Sequence, residues 1–148
     1  MNDGRVKKIK KLYDYPLRVK GKDISIYEIV HHKCQQIIAD LKETLMTNKN
    51  GVGLSSHQIG LPYKIFIAVD EVFVNPSVVS VSDETVESRE GCLSLPNAVR
   101  TITRHKEIEI KYMTEEGDFA TKNFTGLKAI VIQHELDHLE GKLISDNR

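Results

Sequence analysis

The chain has 148 residues, material for one hydrophobic core, so a single domain spanning 1–148 is expected. With 40% hydrophobic and 28% charged residues it lies well away from compositions that stay disordered. Lys+Arg and Asp+Glu are equal at 21 each, which removes the electrostatic basis for nucleic-acid specificity or an anionic membrane surface and points to a neutral or small substrate.

The first segment carries Arg5, Lys7, Lys8, Lys10 and Lys11, read as a solvated, partly mobile arm. It has no apolar stretch with a small-residue cleavage site, and no run in the chain approaches the roughly 18 apolar residues that span a bilayer. A cytoplasmic location, no membrane and a monomer are expected. Asp23 is a candidate cap for an amphipathic helix over about 24–48, with Ile26, Ile29, Val30, Cys34, Ile37, Ile38, Leu41 and Leu45 at three-and-four spacing. Cys34 lies on that apolar stripe as a small buried hydrophobe, and His31 and His32 sit at its edge or surface.

From Lys64 to Met113 the texture changes to short β-branched runs, Ile65–Val69, Val72–Val74, Val78–Val81 and the alternating Ile108, Ile110, Tyr112. Pro62, Asn75-Pro76, Pro96 and Glu116-Gly117 are read as the turns between them. Gly126 then opens a second helix, apolar nearly all round and so central, which Gly141 stops. The order helix, strands, helix predicts an α+β fold with small mixed or antiparallel sheets around that central helix and an amphipathic helix towards the N-terminus.

On the central helix lies His134-Glu135-Leu136-Asp137-His138. Residues four apart stack on one helical face, so both imidazoles can reach one metal ion, with Glu135 beside them to handle a proton from water. Two histidines and an acid facing an apolar interior are costly unless partnered, and a metal resolves that cost. A third His at 144 would extend the pattern, but the chain has Ile144, and only ten residues follow His138, so the third ligand is expected upstream. Cys92, between Gly91 and Pro96, is the strongest candidate, and a thiolate suits zinc or iron(II).

Three segments, Gly51-Val52-Gly53-Leu54-Ser55-Ser56-His57-Gln58, Glu90-Gly91-Cys92-Leu93-Ser94 and Gln133-His134-Glu135-Leu136-Asp137-His138, closely resemble the three signature motifs of peptide deformylases, in the family's order. Val74-Asn75-Pro76, Arg104 and Leu139-Glu140-Gly141 extend the likeness over most of the chain from about residue 45. The resemblance implies hydrolysis of the formyl group from N-formylmethionyl nascent peptides, on one divalent metal held by Cys92, His134 and His138. Iron(II) is favoured, with zinc, nickel or cobalt as alternatives, and the ribosome exit region is a candidate partner. It further implies Glu135 as general base and acid, and the Gln58 side-chain amide with the Leu93 backbone N–H as donors to the oxyanion.

The same likeness implies a methionine pocket lined by Val52, Leu127, Ile130 and Val131. Gly51, Gly53 and Gly91 would let the peptide's backbone lie close by, and Glu90 would pair with Arg104. Asp137 either orients a ligand imidazole or faces water. Ser55 and Ser56 stand where the family usually has alanines, and His57 where a small residue, proline or asparagine is commoner, placing an extra imidazole at the expected site mouth. Val99 stands where many members carry arginine. Ser55, Ser56 and His57 motivate a second reading, an amidase with a shifted substrate; a third, of a different class, is a catalytically dead structural zinc module closed by Cys34 or His57.

Overall fold

The computed structural model describes residues 3–146. Its elements in chain order are α1 (Ile26–Val30), α2 (Lys33–Met46), β1 (Gly53–Ser55), a 3₁₀ turn (Ser56–Ile59), β2 (Ile65–Ala68), β3 (Glu71–Val81), β4 (Thr85–Cys92), β5 (Leu95–His105), β6 (Glu107–Met113), β7 (Phe119–Thr125) and α3 (Gly126–Leu139). Strands β1, β2, β3, β6 and β7 form one sheet in the order β1-β2-β3-β6-β7, and β4 and β5 form a second. Every pairing within the two sheets is antiparallel. This is the expected α+β class. Among the described residues no helix is long and apolar enough to cross a membrane.

Strand β2 explains the layering. All four of its residues are buried, because each face of the sheet carries a helix. Ile65 and Ile67, with Val72 and Val74 of β3, pack with Cys34, Ile37, Ile38 and Leu41 of α2. Phe66, Ala68 and Phe73 point the other way, joining Tyr112, Phe124 and the Ala129, Val131 and Ile132 face of α3. The Phe66 and Phe73 rings stack at 4.9 Å. Helix α3 is therefore wedged between the large sheet and β5, which is why it is apolar nearly all round, and Gly141 ends it at φ +73.

Three expectations are corrected. The predicted helix over 24–48 is two helices, and Ser25 rather than Asp23 caps the first, through a capping box with Glu28. His32, at φ +66, breaks the chain between them, so the apolar stripe continues on a new axis. Asn75-Pro76 is no turn but an irregularity inside β3, and Pro96 lies within β5, in the stretch where its register with β4 shifts.

The third correction concerns the basic arm. The arm's lysines reach solvent, but its backbone is tied down. Arg5 N–H donates to Asp40 (2.9 Å), Lys7 N–H to Thr44 Oγ1 (2.8 Å) and Lys10 N–H to the Gln58 carbonyl (2.8 Å), while Ile9 is buried. Further on, Gly21 N–H donates to the Leu139 carbonyl at 2.7 Å and Arg18 to the Gly141 carbonyl at 3.1 Å. The segment is a strap that ties α2, the 3₁₀ turn and the end of α3 together.

Asn75 holds the kink of β3 in place. Its φ is +49, a conformation Asn tolerates, and its side chain accepts from Ile24 N–H (2.9 Å) and donates to the Ile24 carbonyl (3.0 Å). Asn75→Ala is expected to cost about 2 kcal/mol by losing both bonds and straining the backbone, read as a lower urea midpoint at unchanged slope.

Candidate metal centre

The helical repeat places His134 and His138 one turn apart on α3, with ring centroids 5.0 Å apart and inclined at 62°. Cys92 arrives from the opposite side at the end of β4, where a shift in register between Glu90 and Cys92 re-aims the chain. Its Sγ lies 3.4 Å from His138 Nε2, and one ligand atom from each of Cys92, His134 and His138 falls within 4.8 Å of the others. Bonds of about 2.3 Å from sulfur and 2.0 Å from nitrogen, at a tetrahedral angle, put the two ligand atoms about 3.5 Å apart. The thiol and imidazoles fit one divalent ion.

Glu90 sets the orientation of His134. Its Oε1 accepts from His134 Nδ1–H at 2.9 Å, which leaves Nε2 with its lone pair free to ligate. Arg104 grips the same carboxylate in a fork, Nη2 to Oε1 at 2.8 Å and Nε to Oε2 at 2.9 Å, and donates Nη1 to Asp137 at 2.7 Å. Both Glu90 and Arg104 are buried. Burial would raise the Glu90 carboxyl, but the bonds from Arg104 and His134 overcome it and hold the group down at about 2. Asp137 thus neither orients an imidazole nor faces water alone: it completes the arginine's partners.

Glu135 lies between the ligands on the helix and is 3% exposed, with no hydrogen-bond partner for its Oε1 among the described residues. Burial pushes its carboxyl up to about 7. Gly53 faces it: a Cβ there would lie 2.8 Å from Glu135 Oε2 and 3.0 Å from the Ile67 carbonyl, so only glycine leaves the carboxylate its place. The Gln58 amide is fixed by its neighbours. Its Oε1 accepts from Ser55 N–H (3.0 Å) and Ser55 Oγ–H (3.2 Å), which turns the amino group to Ser94 Oγ (3.1 Å) and towards Cys92 Sγ (3.8 Å). The Leu93 N–H makes no hydrogen bond among the described residues, while the Leu93 carbonyl takes one from Lys11 Nζ at 3.1 Å.

These groups open onto one cavity of about 390 Å³. Gly51, Val52, Gly53, Gln58, Glu90, Gly91, Cys92, Leu93, Leu127, Ile130, Val131, His134 and Glu135 all line it, and His138 stands behind, 1% exposed. Val52 and Leu127 form an exposed apolar rim, and Val131 is buried in the wall. Gly51 has a steric reason to be glycine, since a Cβ would lie 2.9 Å from both Leu45 and Leu93 side chains; Gly91 has none, its nearest neighbour lying at 3.7 Å.

The departures in the first motif are resolved inwards. His57 is not at the mouth but fully buried, donating Nε2–H to the Val19 carbonyl at 2.7 Å, and burial lowers its basicity so that it stays neutral. Ser56 Oγ–H donates to the Leu61 carbonyl at 2.5 Å. Neither His57 nor Cys34 joins the ligand cluster found among the described residues, and burial drives the Cys34 thiol up to about 11. Sequence reasoning missed Ser94, which holds the Gln58 amide, and Ser88 in the cavity wall. Strand alternation from Glu90 was the available signal for Ser88.

A model of the polypeptide deformylase family matches residues 6–148. The chain belongs to the peptide deformylase family. The peptide deformylase of Pseudothermotoga lettingae is 40% identical over 144 residues, 95% of this chain and 82% of that protein. A crystal structure of the class I type b peptide deformylase from Acinetobacter baumannii superposes with a TM-score of 0.89 at 30% identity, covering 96% of this chain and 99% of that one. The same A. baumannii enzyme bound to Met-Ala-Ser gives 0.87 at 28% identity, over 95% and 96%. Membership of the deformylases carries the enzyme class, a hydrolase of N-terminal protein processing, to this chain.

The Glu90–Arg104 pair generates a test. Arg104→Leu leaves two carboxylates without their shared cation, one of them buried, and is expected to cost about 3 kcal/mol in urea denaturation. By freeing the imidazole that Glu90 aims, it should also weaken metal binding about tenfold in a competitive chelator titration.

Proposed function

We propose that this deformylase removes the formyl group from N-formylmethionyl nascent peptides as one hydrolase domain over 1–148, with Glu135 as general base and then general acid. The observation that carries the reading is the unpartnered Glu135 oxygen set beside a Cys-His-His cluster at the base of an apolar cavity. Cys92, His134 and His138 would hold a divalent metal, iron(II) by preference and zinc, nickel or cobalt otherwise, which would supply Lewis acidity.

The chain's own groups supply the rest. Glu135 takes the proton from the attacking water and passes it to the departing amine, so one residue serves both steps. The Gln58 amino group and the Leu93 N–H donate to the oxygen on which charge builds, and the loss of such a donor typically costs about 3 kcal/mol. Strand β1 ends its sheet and β4 has only β5 beside it, so each offers an unpaired edge to the cavity between Gly51-Val52-Gly53 and Glu90-Gly91. An extended peptide fits between these edges as an added strand, with its methionine side chain against Leu127, Ile130 and Val131. The A. baumannii relative with Met-Ala-Ser bound supports a peptide of that kind as substrate here.

The internal partners of Ser55, Ser56 and His57 take away the motive for an amidase with a shifted substrate. The deciding comparison is formyl-Met-Ala-Ser against acetyl-Met-Ala-Ser with protein prepared anaerobically and loaded with iron(II). Release of formate is expected to be the faster reaction, and faster hydrolysis of the acetyl peptide would refute the assignment. Glu135→Gln is expected to retain a full metal complement by elemental analysis while losing at least about 100-fold in kcat; activity within about threefold of the parent would remove Glu135 from its role.

A further inference from the structure

One buried polar side chain on the cavity wall is used neither by the metal ligands nor by the proton-transfer groups. Ser88 is 9% exposed, lines the cavity, and its hydroxyl has no hydrogen-bond partner among the described residues. It lies on β4 two residues before Glu90, and both are buried while Glu87 and Arg89 are exposed, so the two side chains share the inward face. Glu90 meets His134 on α3. One strand step of about 6.6 Å back from there, Ser88 comes level with the preceding turn of the helix, which carries Ile130 and Val131. The next cavity along is lined by Val86 and again Ile130, which fixes the direction in which the strand runs past the helix.

We propose that the Ser88 hydroxyl recognises the thioether sulfur of the substrate's methionine, on the reading that this cavity receives formylmethionyl peptides. The Ser88 hydroxyl is not one of the fully buried atoms left without a partner, so it meets water through the cavity, and a side chain that fills the cavity displaces that water and must replace its hydrogen bond. Along a methionine side chain the acceptor is the sulfur, a weak one that requires a donor of this type. Norleucine has the same length and shape with a methylene in the sulfur's place, and where it displaces the water it leaves the hydroxyl unpaired. The wall therefore reads the sulfur as well as the apolar bulk, and Ser88 acts as a specificity residue in direct contact with the substrate.

The test compares formyl-Met-Ala-Ser with formyl-norleucyl-Ala-Ser on the metal-loaded parent, Ser88→Ala and Ser88→Thr. The parent is expected to favour methionine in kcat/KM by about three- to tenfold, the range for one neutral hydrogen bond against an unpaired group, with the difference in KM. Ser88→Ala should bring the ratio close to one by raising KM for the methionyl peptide, and Ser88→Thr, which keeps the hydroxyl, should preserve the preference. Binding of the product peptides Met-Ala-Ser and norleucyl-Ala-Ser by calorimetry reads the same ratio without turnover. A protein that deformylates neither peptide yet binds the products with a Ser88-dependent preference would overturn the activity and keep the recognition. A preference that survives Ser88→Ala, or a parent that does not discriminate, overturns the role of Ser88.

Discussion

Glu90 joins three elements of the chain that are far apart in sequence. Its carboxylate receives His134 from α3 and both arms of the Arg104 fork from β5, while its own strand ends two residues later in Cys92. Burying an ion pair of this kind adds little net stability, because desolvation consumes most of the Coulombic gain. It gives geometry instead. With the oxygens committed, His134 can present only Nε2 to the cluster, and the small β4-β5 sheet is held against α3 at a fixed separation. The thiol and the second imidazole then find each other because both are anchored to elements that Glu90 and Arg104 have already docked.

The remaining catalytic geometry rests on the double-sided sheet. Its β2 residues alternate between the two helices, so α2 and α3 cannot shift independently without opening one core or the other. Where α3 has polar residues, each is spoken for: Gln133 by the His105 backbone, Asp137 by Arg104, His134 by Glu90. Glu135 and His138 are the exceptions, each with a buried side-chain atom that no group among the described residues satisfies. In a helix otherwise so thoroughly matched, unmet polar atoms mark where a ligand belongs.

Much of this was legible in the residues themselves. The four-residue spacing of His134 and His138 follows from helical periodicity, and Cys92 from the chemistry of the missing donor, because both are local properties. The burial of Glu90 with Arg104 could be anticipated only through the family likeness, since β4 and β5 carry them 14 positions apart. What escaped reading depended on partners remote in sequence. His57 looked like a mouth residue because its acceptor, the Val19 carbonyl, is 38 positions away. The break at His32 escaped because the apolar spacing runs on across it; the spacing records which side chains face the core, not whether the axis is continuous. Asn75-Pro76 looked like a turn because its dipeptide favours one, whereas Ile24, 51 positions away, supplies the bonds that keep it within a strand.

The N-terminal strap has a mechanical consequence. Lys10 bonds the backbone of the 3₁₀ turn at Gln58, Lys11 bonds the Leu93 carbonyl, and Val19 and Gly21 hold His57 and the end of α3. The two groups proposed to stabilise developing charge are thus braced from outside the cavity by adjacent residues of a single extended segment. The bonds reach the backbone carbonyls of Gln58 and Leu93, so the two residues that carry the donors share one brace although they lie 35 positions apart. The position of both donors therefore depends on a stretch of chain that the substrate does not touch.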